Sequence, residues 1–227
     1  MSFVTVAENI VKIIGQYWQI FLLRGVGITL ALSVITVFFG AIFGSALAFA
    51  KMSRFRLLVW PVSFFIELIR GTPILLQLYI GYFIIPQIFP ALGMSDFVSI
   101  SIALIINSSC YVSEVVRSGI QAVDPGQTEA ARTLGLNHRQ TMLRIVMPQA
   151  VKNILPALGN EFVMIIKETS LASTFFIGDL MTSYLVVKGK TYLSLESLLI
   201  VGAIYFALTF SLSKIIAFFE RRLKTSD

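Results

Sequence analysis

Long apolar runs separated by short polar connections dominate the pattern of this chain. Residues 25–50 contain no charged residue and lie between Arg24 and Lys51. At about 1.5 Å per residue, this run is long enough to cross a bilayer core about 30 Å thick. Similar runs predict further membrane-spanning helices over residues 97–116, 154–177 and 195–219.

The apolar run at residues 57–86 differs because polar residues interrupt it. It is too long for one straight crossing and contains Arg70, Gly71, Thr72 and Pro73. Proline removes a helical hydrogen bond and disfavours helix at the residue before it. We predict one crossing with a break at Gly71–Pro73, because two crossings would leave both halves shorter than a full span. The prediction is thus an all-α membrane protein with five transmembrane helices.

Small residues recur every four positions in the first predicted span, at Gly40, Gly44 and Ala48. Such a stripe lets two helices approach closely. Glycine is also common in membrane helices, so the sequence alone leaves chance as an equal explanation.

Composition supports a membrane protein. Of the 227 residues, 56% are hydrophobic and 13% charged, too few charges to cover a soluble domain of this size. The net charge is +6, and the positively charged residues lie between the apolar runs, which indicates a role in membrane orientation rather than nucleic-acid binding. One cysteine and one histidine exclude an intrachain disulfide and predict no metal site. Residues 1–24 carry Glu8 and Lys12, unlike a signal peptide, and are predicted to form an interfacial amphipathic segment.

The connections also predict the orientation of the chain. With five crossings, eleven Lys and Arg residues fall on one side and four on the other. The positive-inside rule then places the N-terminus outside and the C-terminal tail, residues 221–227, in the cytoplasm. The long polar stretch at residues 118–152 is therefore predicted to be cytoplasmic.

This polar stretch carries helix start and stop signals. Asp124 and Pro125 predict a helix start and Gly135 a stop, giving a helix over residues 127–134. Asn137 predicts the start of a second helix that ends at Met147, before Pro148. Two ordered helices around a glycine turn could dock a soluble partner or lie on the membrane surface, and the residues alone leave both open.

Four segments resemble one known family. Glu129-Ala130-Ala131 followed by Gly135, Ile145 and Pro148 resembles the EAA motif of ABC importer permeases, with Met147 in place of the usual leucine. Three further segments resemble the polar amino acid permeases, the histidine, glutamine and arginine group. They are Arg70 to Pro73, Tyr111 with Glu114 to Gly119, and Lys167 to Leu171. The resemblance covers about residues 25–220.

The resemblance implies a type I ABC importer permease in the bacterial inner membrane, paired with a second permease copy or a sister permease. Two cytoplasmic ATPase subunits would hold ATP and magnesium, and an extracytoplasmic protein would deliver the amino acid. This chain itself would not be an enzyme and would hold no cofactor. The residues implied to couple it to the ATPases are Glu129, Ala130, Ala131, Gly135, Leu136, Arg139 and Pro148.

Charged residues within the spans are the candidates for substrate binding, since such groups are costly in lipid. A zwitterionic amino acid needs a cation for its carboxylate and an anion for its ammonium group. Lys167 could serve the first, and Glu168 or Glu114 the second. Hydrogen bonds could come from Thr72, Thr169 and Ser170, and weaker candidates are Glu161 and Asn107.

Other interpretations of these charges remain open at this stage. They could be contacts between helices or to the external binding protein, and Glu67 and Arg70, three residues apart, are expected to neutralise each other. An ion-coupled secondary amino acid transporter would use the same charges without an ATPase. An intramembrane enzyme is disfavoured because the only histidine, His138, lies in the polar stretch. A membrane scaffold without a transport site is the remaining alternative.

Overall fold

The computed structural model describes residues 3–224, which are almost entirely helical with no strand among them. A π-helical stretch, Gln19–Val26, joins the first two helices into one run. The α-helices are α1 Phe3–Trp18, α2 Gly27–Lys51, α3 Arg56–Arg70, α4 Ile74–Ile88, α5 Asp96–Gln121, α6 Pro125–Thr133, α7 His138–Thr141, α8 Met147–Glu168, α9 Leu180–Thr191 and α10 Ser194–Lys224.

The membrane-spanning lengths agree with the predicted spans. Within the described residues, three helical runs are long and apolar enough to cross a bilayer: Val4–Lys51, Asp96–Gln121 and Ser194–Arg222. The number reaches five when each of two bent pairs is counted as one span, namely α3 with α4 and the run His138–Phe175 with α9. The first run has 48 residues and is unbroken, so the helix itself does not mark the predicted boundary at residue 24. An interfacial position of the N-terminal segment stays a prediction.

Helix α5 lies at the centre and packs most extensively against α2. The small-residue stripe forms this contact: a Cβ added at Gly40 would lie 2.6 Å from Ser108 Oγ, and one at Gly44 would lie 2.7 Å from Ser109 O. Because the residue number on α5 increases with the residue number of its contact on α2, the two helices run in the same direction. The stripe therefore serves close helix packing, which the sequence alone had left undecided.

Helices α4 and α8 run opposite to α5. Along α4, Gln77 contacts Asn107 and Gly81 lies against Ala103, so the partner number falls as the chain advances. Along α8, the contacts are Gly119 with Ile154 and Ser108 with Glu161. This alternation of direction is what successive membrane crossings require.

The polar stretch forms the predicted helical hairpin, with one correction. Helix α6 and the turn at Gly135 occur as expected, and Asn137 begins the second helix. That helix does not end at Met147 but continues through a π-helical turn, Met142–Val146, into α8. Met147 N–H bonds to Met142 O, five residues back, and this widened turn accommodates Pro148, which has no N–H to donate. The hairpin is therefore continuous with a membrane helix.

Large apolar side chains cover the outside of the bundle. Phe38, Phe64 and Phe206 are 60%, 59% and 67% exposed in the isolated chain. Polar residues such as Thr36, Asn107 and Ser113 are buried in the interior. This inverted arrangement is the one expected for a protein surrounded by lipid.

Candidate functional site

Two acidic residues of α8 lie on one face of that helix, inside the bundle. Glu161 Oε1 lies 3.4 Å from Ser108 Oγ of α5, which donates to it. Glu168 lies seven residues further along, two helical turns away and so on nearly the same face. Both side chains are partly buried. The predicted candidate Glu168 and the weaker candidate Glu161 are thus brought to the same side of α8.

The remaining candidates near the end of α8 are less closely grouped. Lys167 is exposed, and its Nζ lies 3.4 Å from Met164 Sδ. Among the described side chains it forms no salt bridge with Glu168. Thr169 is buried and donates from Oγ1 to Ile166 O at 2.7 Å, while Ser170 is partly buried. These four successive residues therefore provide a cation, an anion and two hydroxyl groups, but their side chains lie on different faces of the chain.

Glu114 lies in a different part of the bundle. Its Oε1 accepts a hydrogen bond from Lys51 Nζ at 2.8 Å, and its Oε2 accepts one from Arg117 Nη2 at 2.7 Å. Ser108 of α5 contacts Glu161 of α8, and the two helices are antiparallel. Glu114 and Glu168 therefore lie on opposite sides of that contact, about 20 Å apart along the helix axes. The structure therefore does not bring Glu114 together with Lys167 and Glu168. Sequence reasoning missed its partner Lys51, which marks the end of α2.

Thr72 belongs to the break between α3 and α4, which meet at a bend of 106°. Gln77 Nε2 lies 2.7 Å from Ile69 O, 3.1 Å from Thr72 O and 3.0 Å from Thr72 Oγ1. Asn107 Nδ2 donates to Gln77 Oε1 at 2.8 Å. Gln77 thus satisfies acceptors that the break leaves open and ties them to α5. Sequence reasoning missed it, although a glutamine within an apolar helix was a usable signal.

The predicted pairing of Glu67 with Arg70 is wrong, since no salt bridge joins them in the described part of the chain. The Arg70 guanidinium instead lies 5.3 Å from the ring centroid of Tyr111 on α5. A cation over an aromatic face is attracted by the ring quadrupole. Arg70 therefore also ties the break to the central helix.

The tight turn of the hairpin has a well-defined geometry. Leu136 N–H donates to Ala131 O at 3.1 Å and Gly135 N–H to Arg132 O at 3.0 Å, which is the Schellman pattern of helix ends. Gly135 has φ +86°, a conformation that favours glycine. Asn137 and Gln140 form a reciprocal capping box at the next helix. The turn is therefore rigid rather than a slack linker.

The hairpin presents its predicted coupling residues unequally. Ala131 is buried and Leu136 is partly buried, while Val146 is buried in a cluster that includes Val112 and Val123. The outer surface carries Leu134, which is 83% exposed. It also carries the exposed residues Glu129, Ala130, Gly135, Arg139 and Pro148. Leu143 is a second exposed leucine of the same hairpin, so this surface offers a partner both apolar and charged groups.

A multi-pass helical bundle with polar groups inside and a rigid hairpin at one end defines a membrane transport subunit. The chain belongs to the family described as binding-protein-dependent transport system inner membrane component, whose model matches residues 37–225. It is thus the transport subunit, not an ATPase. Its family works with separate ATPase subunits and a binding protein.

Individual relatives support this assignment along nearly the whole chain. The arginine transport system permease protein ArtQ of Bacillus subtilis is 40% identical over 207 residues, covering 91% of this chain and 94% of its own. A putative glutamine transport system permease protein GlnP of Rickettsia bellii is 39% identical over the same shares. A crystal structure of an amino acid ABC transporter with histidines matches with a TM-score of 0.86 and 40% identity, covering 98% of this chain and 99% of that one.

These findings confirm an all-α membrane protein with the ABC permease fold, the ABC permease family and the inner-membrane location. The orientation of the two termini stays a prediction. They give the alternative of an ion-coupled secondary transporter no support. Which residues bind a substrate and which contact an ATPase stay predictions, placed by the structure as described above.

Proposed function

We propose that this chain, paired with a second copy or a sister permease, forms the path for a polar amino acid through an ABC importer. Two ATPase subunits, each using ATP with magnesium, would drive it from the cytoplasm. The exposed, rigid hairpin carrying Glu129 and Leu134 is the observation that supports the proposal most strongly. The names of the relatives, which include arginine and glutamine transport permeases, support a polar amino acid as substrate.

The hairpin is suited to transmit force because it is continuous with α8. A push on α6 acts through its packing against the π-helical turn Met142–Val146, and then along the unbroken helical run His138–Phe175. The far end of this run carries Glu168 and Thr169. ATP-driven closure of the partner subunits would therefore tilt the same helix that bears the candidate substrate residues, which is a route to alternating access.

For the substrate site, we propose that Lys167 and Glu168 bind the two charged ends of the amino acid and that Thr169, Ser170 and Thr72 add hydrogen bonds. Glu161 shares the face of Glu168 and provides a second carboxylate deeper along α8. Two carboxylates on one face favour a solute with an extra positive charge or an amide donor. Glu114 stays a candidate, but Lys51 and Arg117 already neutralise its carboxylate.

The coupling proposal is tested with Glu129→Arg in proteoliposomes containing the permease, its ATPase subunits and its binding protein. We expect loss of ATPase co-purification and of ATP-dependent amino acid uptake, because the charge reverses on the exposed docking surface. The matched control is Glu8→Arg, the same charge change at an exposed position of α1. ATP-independent uptake, or equal ATPase binding by both variants, would refute the coupling role.

The substrate proposal is tested by comparing Glu168→Gln with Glu114→Gln in the same vesicles, using arginine, histidine and glutamine as solutes. We expect Glu168→Gln to raise KM for arginine more than tenfold and for glutamine less, with ATPase co-purification retained. Equal KM values for wild type and Glu168→Gln would contradict the assignment of this residue.

A further inference from the structure

A cavity of about 300 Å³ opens at the end of the bundle opposite the hairpin. It lies between the π-helical stretch, the turn that precedes α9, and α9 itself. The residues that line it are Ile20, Arg24, Phe176, Gly178, Thr182, Ser183, Val186 and Lys190. None of them belongs to the transport or coupling residues discussed above.

Two cations border this cavity, Arg24 and Lys190, and both are exposed. Neither forms a salt bridge with any described side chain. Two buried acids lie close to these cations in sequence. Glu196 accepts from Asn9 Nδ2 at 3.0 Å. Asp179 accepts from Met181 N–H at 2.9 Å through Oδ2 and from Thr182 Oγ1 through Oδ1. The Asp179 carboxylate is thus already used to cap α9, and the cavity retains an excess of positive charge.

The backbone of the turn leaves room for the guanidinium group. Gly178 has φ +92°, and a Cβ added there would lie 2.9 Å from Arg24 Nε. Any larger residue would therefore be strained and would displace Arg24 from the cavity edge. The glycine keeps the guanidinium group against the turn, where it faces the cavity.

The spacing of charges along the first helical run fits a cavity at the depth of the lipid headgroups. Arg24 and Lys51 are 27 residues apart in one unbroken helical run, which corresponds to about 40 Å. A bilayer with its headgroups is about 40–45 Å thick. Lys190 Nζ lies 5.8 Å from the ring centroid of Tyr17, and Trp18 and Tyr192 are close to these two residues in sequence. Tyrosine and tryptophan are enriched at membrane interfaces, which supports the same depth.

We propose that this cavity binds the phosphate of an anionic phospholipid in the leaflet opposite the hairpin. Arg24 and Lys190 pair with the phosphate, while Ile20, Phe176 and Val186 contact the glycerol and the first acyl carbons. The combination of apolar walls, two cations without a salt bridge and headgroup depth favours a lipid over a soluble acidic protein, which would need a flatter polar surface. The bound lipid would hold α9 against the π-helical stretch.

Fluorescence quenching by brominated lipids tests the proposal. The chain has two tryptophans, and Trp60→Phe leaves Trp18, six residues from Arg24, as the only reporter. The purified protein is reconstituted in phosphatidylcholine with rising fractions of dibrominated phosphatidylglycerol or dibrominated phosphatidylcholine. We expect phosphatidylglycerol to reach half-maximal quenching at a several-fold lower mole fraction than phosphatidylcholine.

The decisive comparison uses two double variants in the Trp60→Phe background. Arg24→Gln with Lys190→Gln removes the cavity cations, and we expect it to abolish the preference. Lys12→Gln with Lys188→Gln removes the same charge from exposed positions outside the cavity, and we expect it to keep the preference. Equal preference in both doubles would overturn the proposal. So would a cavity double that keeps its lipid preference but loses stimulation by the binding protein.

A single substitution keeps the test decisive if the cavity double does not fold. Arg24→Lys preserves the charge and should retain the preference, whereas Lys190→Gln should reduce it about twofold or more. Folding is checked by co-purification with the ATPase subunits. An unchanged preference in Lys190→Gln would refute the role of that cation.

Discussion

The close packing of α2 against α5 can be tested at Gly44. A Cβ at this position would lie 2.7 Å from Ser109 O and from Val112 Cβ, whereas ordinary contact begins near 3.4 Å. Both neighbouring atoms are backbone or directly attached to it, so no side-chain rotation relieves the contact. The two helices must therefore separate by about 0.7 Å, and overpacking of this kind costs about 1–3 kcal/mol.

Gly27→Ala is the matched control for Gly44→Ala. Gly27 lies in the same helix, and nothing lies within 4 Å of a Cβ added there. Both substitutions gain the same helix propensity, about 0.5–1 kcal/mol. The difference between the variants is therefore the overpacking cost alone. With about 2–4 °C per kcal/mol for a chain of this size, a cost of about 2 kcal/mol lowers the melting temperature by about 4–8 °C.

The only cysteine provides the assay. Cys110 is fully buried in α5, so a maleimide dye that fluoresces on reaction reports unfolding of the detergent-solubilised protein. We expect Gly27→Ala to melt at or slightly above the wild-type temperature and Gly44→Ala to melt several degrees below Gly27→Ala. If the two variants melt together, the helices are not in contact at Gly44 and the packing argument fails.

Three further perturbations test individual contacts. Gln77→Leu should lower the free energy of unfolding by about 2 kcal/mol, because membrane hydrogen bonds average about 0.6 kcal/mol and several acceptors at the break lose their donor. A double-mutant cycle with Asn107→Ala would show no coupling if the hydrogen bond between the two side chains is absent. Gly135→Ala should weaken ATPase co-purification while leaving the melting temperature within about 3 °C, because φ +86° strains only the exposed turn; unchanged co-purification would contradict this. Glu114→Gln and Lys51→Met should show a coupling of about 1 kcal/mol in thermal stability, and a coupling near zero would show that the ion pair contributes nothing.

Much of the candidate site followed from local sequence signals. The helix starts at Asp124 and Asn137 and the turn at Gly135 depend on residues within a few positions of each other, so they are readable without the fold. Pro148 misled the prediction of the helix end, because the widened π-helical turn that accommodates it has no simple sequence signal. A proline rule predicts a break, but it does not predict which local geometry absorbs the missing donor.

The polar interior depended on contacts between residues distant in sequence. Glu114 was predicted as a substrate ligand because an acid within an apolar span needs a partner, but only the fold shows that Lys51, 63 residues away, pairs with it beside the local Arg117. The same holds for Gln77 with Asn107 and for Ser108 with Glu161. Burial costs make a partner necessary, but they do not identify it.

By itself the sequence determined the membrane class, the five apolar spans, the break at Gly71–Pro73 and the hairpin. Length, charge and turn chemistry act locally, and a bilayer imposes a fixed thickness on every helix that crosses it. Only the tertiary structure decided which helix faces meet, that Gly44 is needed for contact, and that the face of α8 bearing Glu161 meets Ser108 of α5 while Glu114 lies elsewhere. Helix rotation and pairing are set by complementary surfaces of separate segments, and no single segment carries that information.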